Sequence, residues 1–215
     1  MKKKTNYDLI APFYDSISSF VYSNNLRKAQ ISQLKLVKDN SSILIAGGGT
    51  GWILEVISAL NLKNIRIMYV EYSAKMIEIS KARKFNFSEI QFIQSDIEFY
   101  QGELIFDVII TAFLFDNFKE TKAISVFTNL DQQLKIGGLW FHTDFTLDHG
   151  GGWWKKSMIR LMYLFFKISS ALDHSDFIEM TPSFINFKYV LIHKQLYFSK
   201  FISGAIFKKT CTQHI

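Results

Sequence analysis

Four glycines fall within five positions in the stretch ILIAGGGTGWILE: Gly47, Gly48, Gly49 and Gly51. Each gives up a side chain and costs conformational entropy, so the cluster marks a tight turn where backbone must approach something closely. Twenty residues past Gly51 the apolar run IRIMYVE ends on Glu71, and the next such run, IQFIQSD, ends on Asp96. A carboxylate at Glu71 can accept from two vicinal ribose hydroxyls, and Asp96 can accept from an adenine amino group while Ile97 packs on the ring. A backbone cradle, then an acid, then a second acid describe a nucleotide-like ligand laid across strand ends. The sixth place of a dinucleotide fingerprint G-x-G-x-x-G is here Trp52, which is too large for the close packing a pyrophosphate turn wants, and this weakens an NAD reading.

Proton chemistry would have to come from a few residues. His142 and Asp144 in WFHTDF and His149 in LDHGGGWW are the candidates for a general base of near-neutral pKa. His149 is preferred because it falls in the loop after a strand, on the ligand-facing edge, and Asp144 reads as a structural or pocket-lining group. No nucleophilic triad and no Cys/His spacing suited to a metal is present, and Cys211 is the single cysteine. The segment GGGWW sets a glycine hinge before Trp153 and Trp154, followed by the apolar stretch SMIRLMYLFFKISSAL. Three readings of it stay open. It is a lid over an aromatic or lipid-like ligand, ordinary core packing, or a peripheral membrane contact with Lys155, Lys156 and Arg160 at the headgroups.

Apolar runs that alternate with helical spacing must position these groups. SILIAG, IRIMYVE, IQFIQSD, FDVIITAF and GGLWFHTDF read as strands, the last following a glycine turn. Between them, WILEVISALNL, SAKMIEISKARKF opened by Ser73 as N-cap, and residues 119–134 read as helices. This order predicts βαβ units in a doubly wound α/β sheet, and VLIHKQLYFSKFISGAIFKKT adds two strands turning at Ser199 and Lys200 as an antiparallel edge.

The chain has 215 residues with 48% hydrophobic content, two prolines, no repeat and no linker-like tract, which predicts one domain over residues 1–215. The opening Met1-Lys2-Lys3-Lys4 leads into charges and a proline instead of an apolar signal region, and the single cysteine suits a reducing compartment, so a cytoplasmic protein is expected. The net charge of +6 is spread along the chain, with no interleaved basic-aromatic stripe, which argues against nucleic acid as partner.

The glycine turn and the acidic tips of the second and third strands resemble the class I S-adenosylmethionine-dependent methyltransferases, over roughly residues 7–209. The resemblance implies a Rossmann-like, seven-stranded, mostly parallel sheet with helices on both faces, and S-adenosylmethionine as cofactor. Ala46, Gly47, Gly48, Gly49 and Gly51 would line its methionine portion, Glu71 its ribose, and Asp96 and Ile97 its adenine. Tyr72 and Met76 are similar to the family's segment after the second strand. Thr111 and Ala112, opening TAFLF, match the strand end that faces the transferred methyl. The early YDLIAPFYD looks like the N-terminal cap of quinone-pathway and related small-molecule methyltransferases, which makes residues 1–40 a helical cap and 150–185 a helical lid insertion. Tyr7, Tyr14, Phe113, Trp153 and Trp154 would then line a pocket for a small hydrophobic or aromatic acceptor, with His149 or His142 as base. One departure is Ile45, where the family usually has an acid that helps hold the methionine end. It keeps open a catalytically silent module that binds S-adenosylmethionine or a related nucleoside. GGGTG also resembles the polyamine aminopropyltransferases, but the apolar Thr111–Phe115 stretch would not select a polycation.

Overall fold

The computed structural model describes residues 24–87, 89–102, 104–147, 153, 155, 157–158 and 178–210. Seven strands form one sheet in the order β3-β2-β1-β4-β5-β7-β6: β1 Ser42–Ala46, β2 Arg66–Glu71, β3 Glu89–Gln94, β4 Phe106–Ala112, β5 Leu134–Phe145, β6 Tyr189–Tyr197 and β7 Ile202–Lys209. The first five run parallel, and β7 pairs antiparallel with both β5 and β6. The five described α-helices are α1 Asn25–Ile31, α2 Trp52–Ala59, α3 Ala74–Lys81, α4 Glu120–Gln132 and α5 Thr181–Asn186. The expected doubly wound α/β sheet with an antiparallel C-terminal edge is the fold observed.

Strand composition follows position in the sheet. Central β1 is buried at all five residues because both of its faces are covered, whereas edge strand β3 alternates exposed and partly buried positions. One face carries Leu44, Val70, Ile109 and Trp140 against Phe127 of α4 and Phe184 of α5. The opposite face carries Ile43, Ile45, Tyr69 and Phe141 with Ile53, Leu54 and Ile57 of α2. Successive strands are added to one side of β1 up to β3 and to its other side from β4 onward, and that switch point opens a crevice at the carboxyl ends of the parallel strands.

The glycine pair expected as a turn before β5 lies inside it. Pairing between β4 and β5 jumps from Phe106↔Leu134 to Val108↔Leu139, so residues between Leu134 and Leu139 bulge out, with Gly137 at φ 79°. Lys135 closes the bulge through its 2.6 Å ion pair with Asp107. The C-terminal hairpin turns where expected, and Phe198, Ser199 and Lys200 all take positive φ there.

Candidate active site

The glycine loop leaves β1 at the switch point, and each glycine has its own reason to be one. A Cβ on Gly48 would come within 2.2 Å of the Tyr69 ring. On Gly51, at φ 73° and capping α2, it would come within 2.4 Å of the Ser80 Cβ, so this glycine lets α3 pack against the loop. At Gly49 the reason differs. Its φ is 63°, yet among the described residues a Cβ there would meet nothing within 4 Å.

The loop is held in place from three directions. Glu71, 8% exposed, accepts the Gly49 N–H through Oε2 at 2.9 Å and the Ser73 N–H through Oε1 at 2.9 Å. The Tyr69 hydroxyl donates to the Gly49 carbonyl at 2.8 Å, and Arg83 Nε donates to the Thr50 carbonyl at 3.0 Å. Ser73 caps α3 by accepting the Met76 N–H. A carboxylate offers about four acceptor sites, so the two Glu71 oxygens can fix the loop and also accept from a diol.

The remaining expected cofactor residues gather at the same edge. Ala46 ends β1 beside Val70 and Thr111. Asp96 accepts the Glu98 N–H and shapes the turn after β3, and Ile97, 5% exposed, packs in the cluster with Ala46 and Val70. Tyr72 is half-buried and Met76 is buried at the start of α3. Ala112 is half-buried at the tip of β4, but the Thr111 hydroxyl is engaged inside the core. Ile45, where an acid was expected, is buried against the α2 face beside Tyr69 and faces away from the crevice.

The loop after β4 closes the other side. Phe113 takes φ 51°, which a bulky residue rarely adopts, and its ring sits 4.8 Å from that of Phe145. Asn117 Nδ2 donates to the carbonyls of both Phe113 and Leu114, pinning this conformation. Leu114 in turn reaches the glycine loop, where a Cβ on Gly47 would lie 2.8 Å from its Cδ1.

His142 is 7% exposed. Trp140 Nε1, a donor only, donates to Thr111 Oγ1 at 2.9 Å, and that hydroxyl shares a 3.2 Å hydrogen bond with His142 Nδ1. His142 Nε2 lies 4.0 Å from Asp144 Oδ2. Burial, with a smaller push from Lys194, lowers the His142 pKa to about 3. A ring so tuned is neutral at neutral pH and a weak base.

Sequence reading missed Asp116, which lies in the short 3-10 turn Phe115–Asn117 after β4 and is 6% exposed. Its carboxyl faces that of Asp144, itself 4% exposed. Burial raises the Asp116 pKa to about 6, and burial together with the neighbouring Asp116 charge raises that of Asp144 well above the ordinary carboxylate range. The available signal was His142-x-Asp144, two polar side chains on one face of a central strand.

His149, Tyr7, Tyr14 and Trp154 lie outside the described residues. Trp153 is 82% exposed. Lys155, read as a headgroup contact, is 2% exposed and donates from Nζ to the Lys200 carbonyl in the β6–β7 turn, so it supports the chain and does not face a lipid surface. Among the described residues no helix is long and apolar enough to cross a membrane, and no His, Cys, Asp and Glu group is placed to hold a metal.

Residues 44–140 match a family model described as a methyltransferase domain. No curated protein matches the sequence. Among solved structures, the fold is similar to that of the N-methyltransferase NodS from Bradyrhizobium japonicum WM9 in complex with S-adenosyl-L-homocysteine, at 15% identity and TM-score 0.64, covering 85% of each chain. It is also similar to the DhpI-SAM-HEP complex, at 20% identity and TM-score 0.56 over 95% of this chain and 78% of the other. A third similar structure is the 1,6-didemethyltoxoflavin-N1-methyltransferase of Burkholderia thailandensis, with 12% identity and TM-score 0.60 over 95% and 86%.

Proposed function

We propose that this chain is a class I S-adenosylmethionine-dependent methyltransferase, which transfers the methyl group of that cofactor to a small hydrophobic or aromatic acceptor. The observation that carries the cofactor half is the Glu71 clamp on Gly49, which presents a glycine backbone and the strand-tip carboxylate together at the switch point. Tyr69 supports the same loop from beneath, so Ile45 does not leave it unsupported.

When bound, S-adenosylmethionine supplies a methyl carbon on a sulfonium, ready for in-line attack. The task left to the protein is alignment and exclusion of water, and holding two reactants in line accounts for much of the acceleration in such transfers. Glu71 and Asp96 would fix the nucleoside, and Ala46 with the loop from Gly47 to Gly51 would take the methionine end. The strained Phe113 turns an aromatic wall, with Phe145, Phe201 and the partly buried Leu147, toward the strand ends where an apolar acceptor would lie. Small-molecule methyltransferases among the similar structures support an acceptor of that size.

Isothermal titration with S-adenosylmethionine and S-adenosylhomocysteine, with NAD as control, tests the reading. Micromolar binding of the first two alone is expected. Binding of none would remove the cofactor assignment, and binding without methyl transfer to any quinone, phenol or amine would favour a silent nucleoside-binding module.

A further inference from the structure

Beside the methyltransferase cleft, the sheet face formed by β5, β7 and β6 carries a pocket whose chemistry the cofactor does not use. Phe145, Met180, Leu191 and Phe207 form its apolar walls, and His142 and Asp144 form its floor. Among the described residues, Asp144 Oδ2 is buried without a hydrogen-bond donor, and neither oxygen of Asp116 behind it has one. Leaving a buried carboxylate unmatched is costly, and two facing each other cannot both ionise, so they hold a single proton between them. His142 Nε2 lies 4.0 Å from Asp144 Oδ2, wider than a hydrogen bond.

The other charges around this floor are Glu179, on the segment before α5, and Lys194 on β6. They are of opposite sign, and Glu179 also accepts from the hydroxyls of Thr146 and Thr181. The acid pair is therefore what gives the pocket its net character. Its Asp116 member sits two residues after Leu114, which packs on the glycine loop, and this ties the pocket to the cofactor edge.

We propose that this pocket takes the protonated amino group of an amine whose apolar body lies on Phe145 and Phe207, with Asp144 and Asp116 as its counter-charge. The proposal rests on the methyltransferase reading and makes the acceptor a hydrophobic amine: before transfer the acid pair takes one proton back from the bound ammonium, which frees the nitrogen lone pair for the methyl carbon. An incoming ammonium replaces the shared proton, which leaves to solvent, and three N–H donors then face the Asp144 oxygen and its Asp116 neighbour. An alcohol of the same shape brings one donor and no charge, and leaves the acid pair as it was.

The experiment titrates the protein calorimetrically with 2-phenylethylamine and with 2-phenylethanol, with and without S-adenosylhomocysteine, in two buffers of different ionisation enthalpy near pH 7.5. The amine is expected to bind at least tenfold more tightly than the alcohol and to release a proton. Asp144→Asn, which keeps size and shape, should abolish that preference without altering affinity for S-adenosylhomocysteine. Equal binding of the two probes, no binding of either, or a preference that survives in both Asp144→Asn and Asp116→Asn overturns the proposal. The wild-type comparison needs no variant, so it stands even where a substitution unfolds the chain. Loss of S-adenosylhomocysteine binding alone would count against the cofactor reading and leave the pocket result to be judged separately.

Discussion

Glu71 Oε2 accepts the backbone N–H of Gly49 at 2.9 Å, so the strand-tip acid and the most open glycine of the loop form one unit before any ligand arrives. The same carboxylate also holds Ser73, the residue that caps α3. The acid therefore ties the glycine turn to the start of α3, while Tyr69 and Arg83 hold the turn's carbonyls.

Replacing Glu71 should separate its two roles. Glu71→Ala removes both backbone bonds and the contact with a diol, and is expected to weaken S-adenosylhomocysteine binding by about 1 to 3 kcal/mol per charged hydrogen bond lost. Glu71→Gln keeps an acceptor for one backbone N–H and should lose less. Calorimetry on both variants decides the point, and an unchanged dissociation constant in Glu71→Ala would remove Glu71 from the site.

The glycines give a second contrast. Gly51→Ala forces a Cβ to 2.4 Å from Ser80 at positive φ, so it should destabilise the fold by roughly 2 kcal/mol or more in urea melts. Gly49→Ala meets no protein atom and carries only the backbone penalty of about 1 kcal/mol. It should nevertheless weaken cofactor binding more than tenfold if the open space is the ligand's. Equal effects of the two variants on binding and stability would contradict this division.

The sheet was legible because its central strands are short runs of Ile and Val between helical patterns, with Ser73 and the glycines marking helix starts. Ile45 shows the limit of pattern matching. The family's acid is missing there, but the loop gains a phenol from Tyr69, a neighbour across β1 and β2 that no linear motif connects to Gly49. Asp116 stayed hidden for a similar reason. It sits in a turn, where Asp is ordinary, and only the register of β4 on β5 brings it to Asp144. Gly137 and Gly138 read as a turn because sequence does not show that β5 continues through the bulge.

The titrating core predicts opposing pH effects. Asp116, raised from 3.8 to about 6, favours the folded state below about 4, and that contribution, roughly 3 kcal/mol, is lost as pH rises through about 6. His142, lowered from 6.5 to about 3, works the other way. Its contribution, at most roughly 5 kcal/mol, is present above about 6.5 and is lost as pH falls toward about 3. The two slopes offset each other between about pH 4 and 6. Asp144, also raised well above the ordinary carboxylate range, adds to the Asp116 slope, and Asp144→Asn removes that titration, so stability rises more steeply with pH than in the wild type. Urea midpoints at pH 4.5, 6 and 7.5 measure it, and parallel curves for the two proteins would show that the carboxyls do not share a proton.

A last prediction concerns what holds the C-terminal hairpin in register. Asp131 of α4 accepts the Tyr189 hydroxyl at 2.6 Å and pairs with Lys209 Nζ at 3.1 Å, and Tyr189 and Lys209 are register partners at the base of β6 and β7. The Asp131 and Lys209 side chains are only 7% and 3% exposed, so the pair is desolvated. Removing one member leaves a buried charge with its principal partner gone, and for such pairs the cost exceeds what the intact bridge contributes. Asp131→Ala should therefore cost about 3 to 5 kcal/mol in urea unfolding, while Tyr189→Phe, which removes one hydrogen bond to a charged group, should cost about 1.5 to 3 kcal/mol. In the double variant the losses should fall short of the sum, because both act through one carboxylate. Strict additivity would mean that Tyr189 and Asp131 stabilise the hairpin independently.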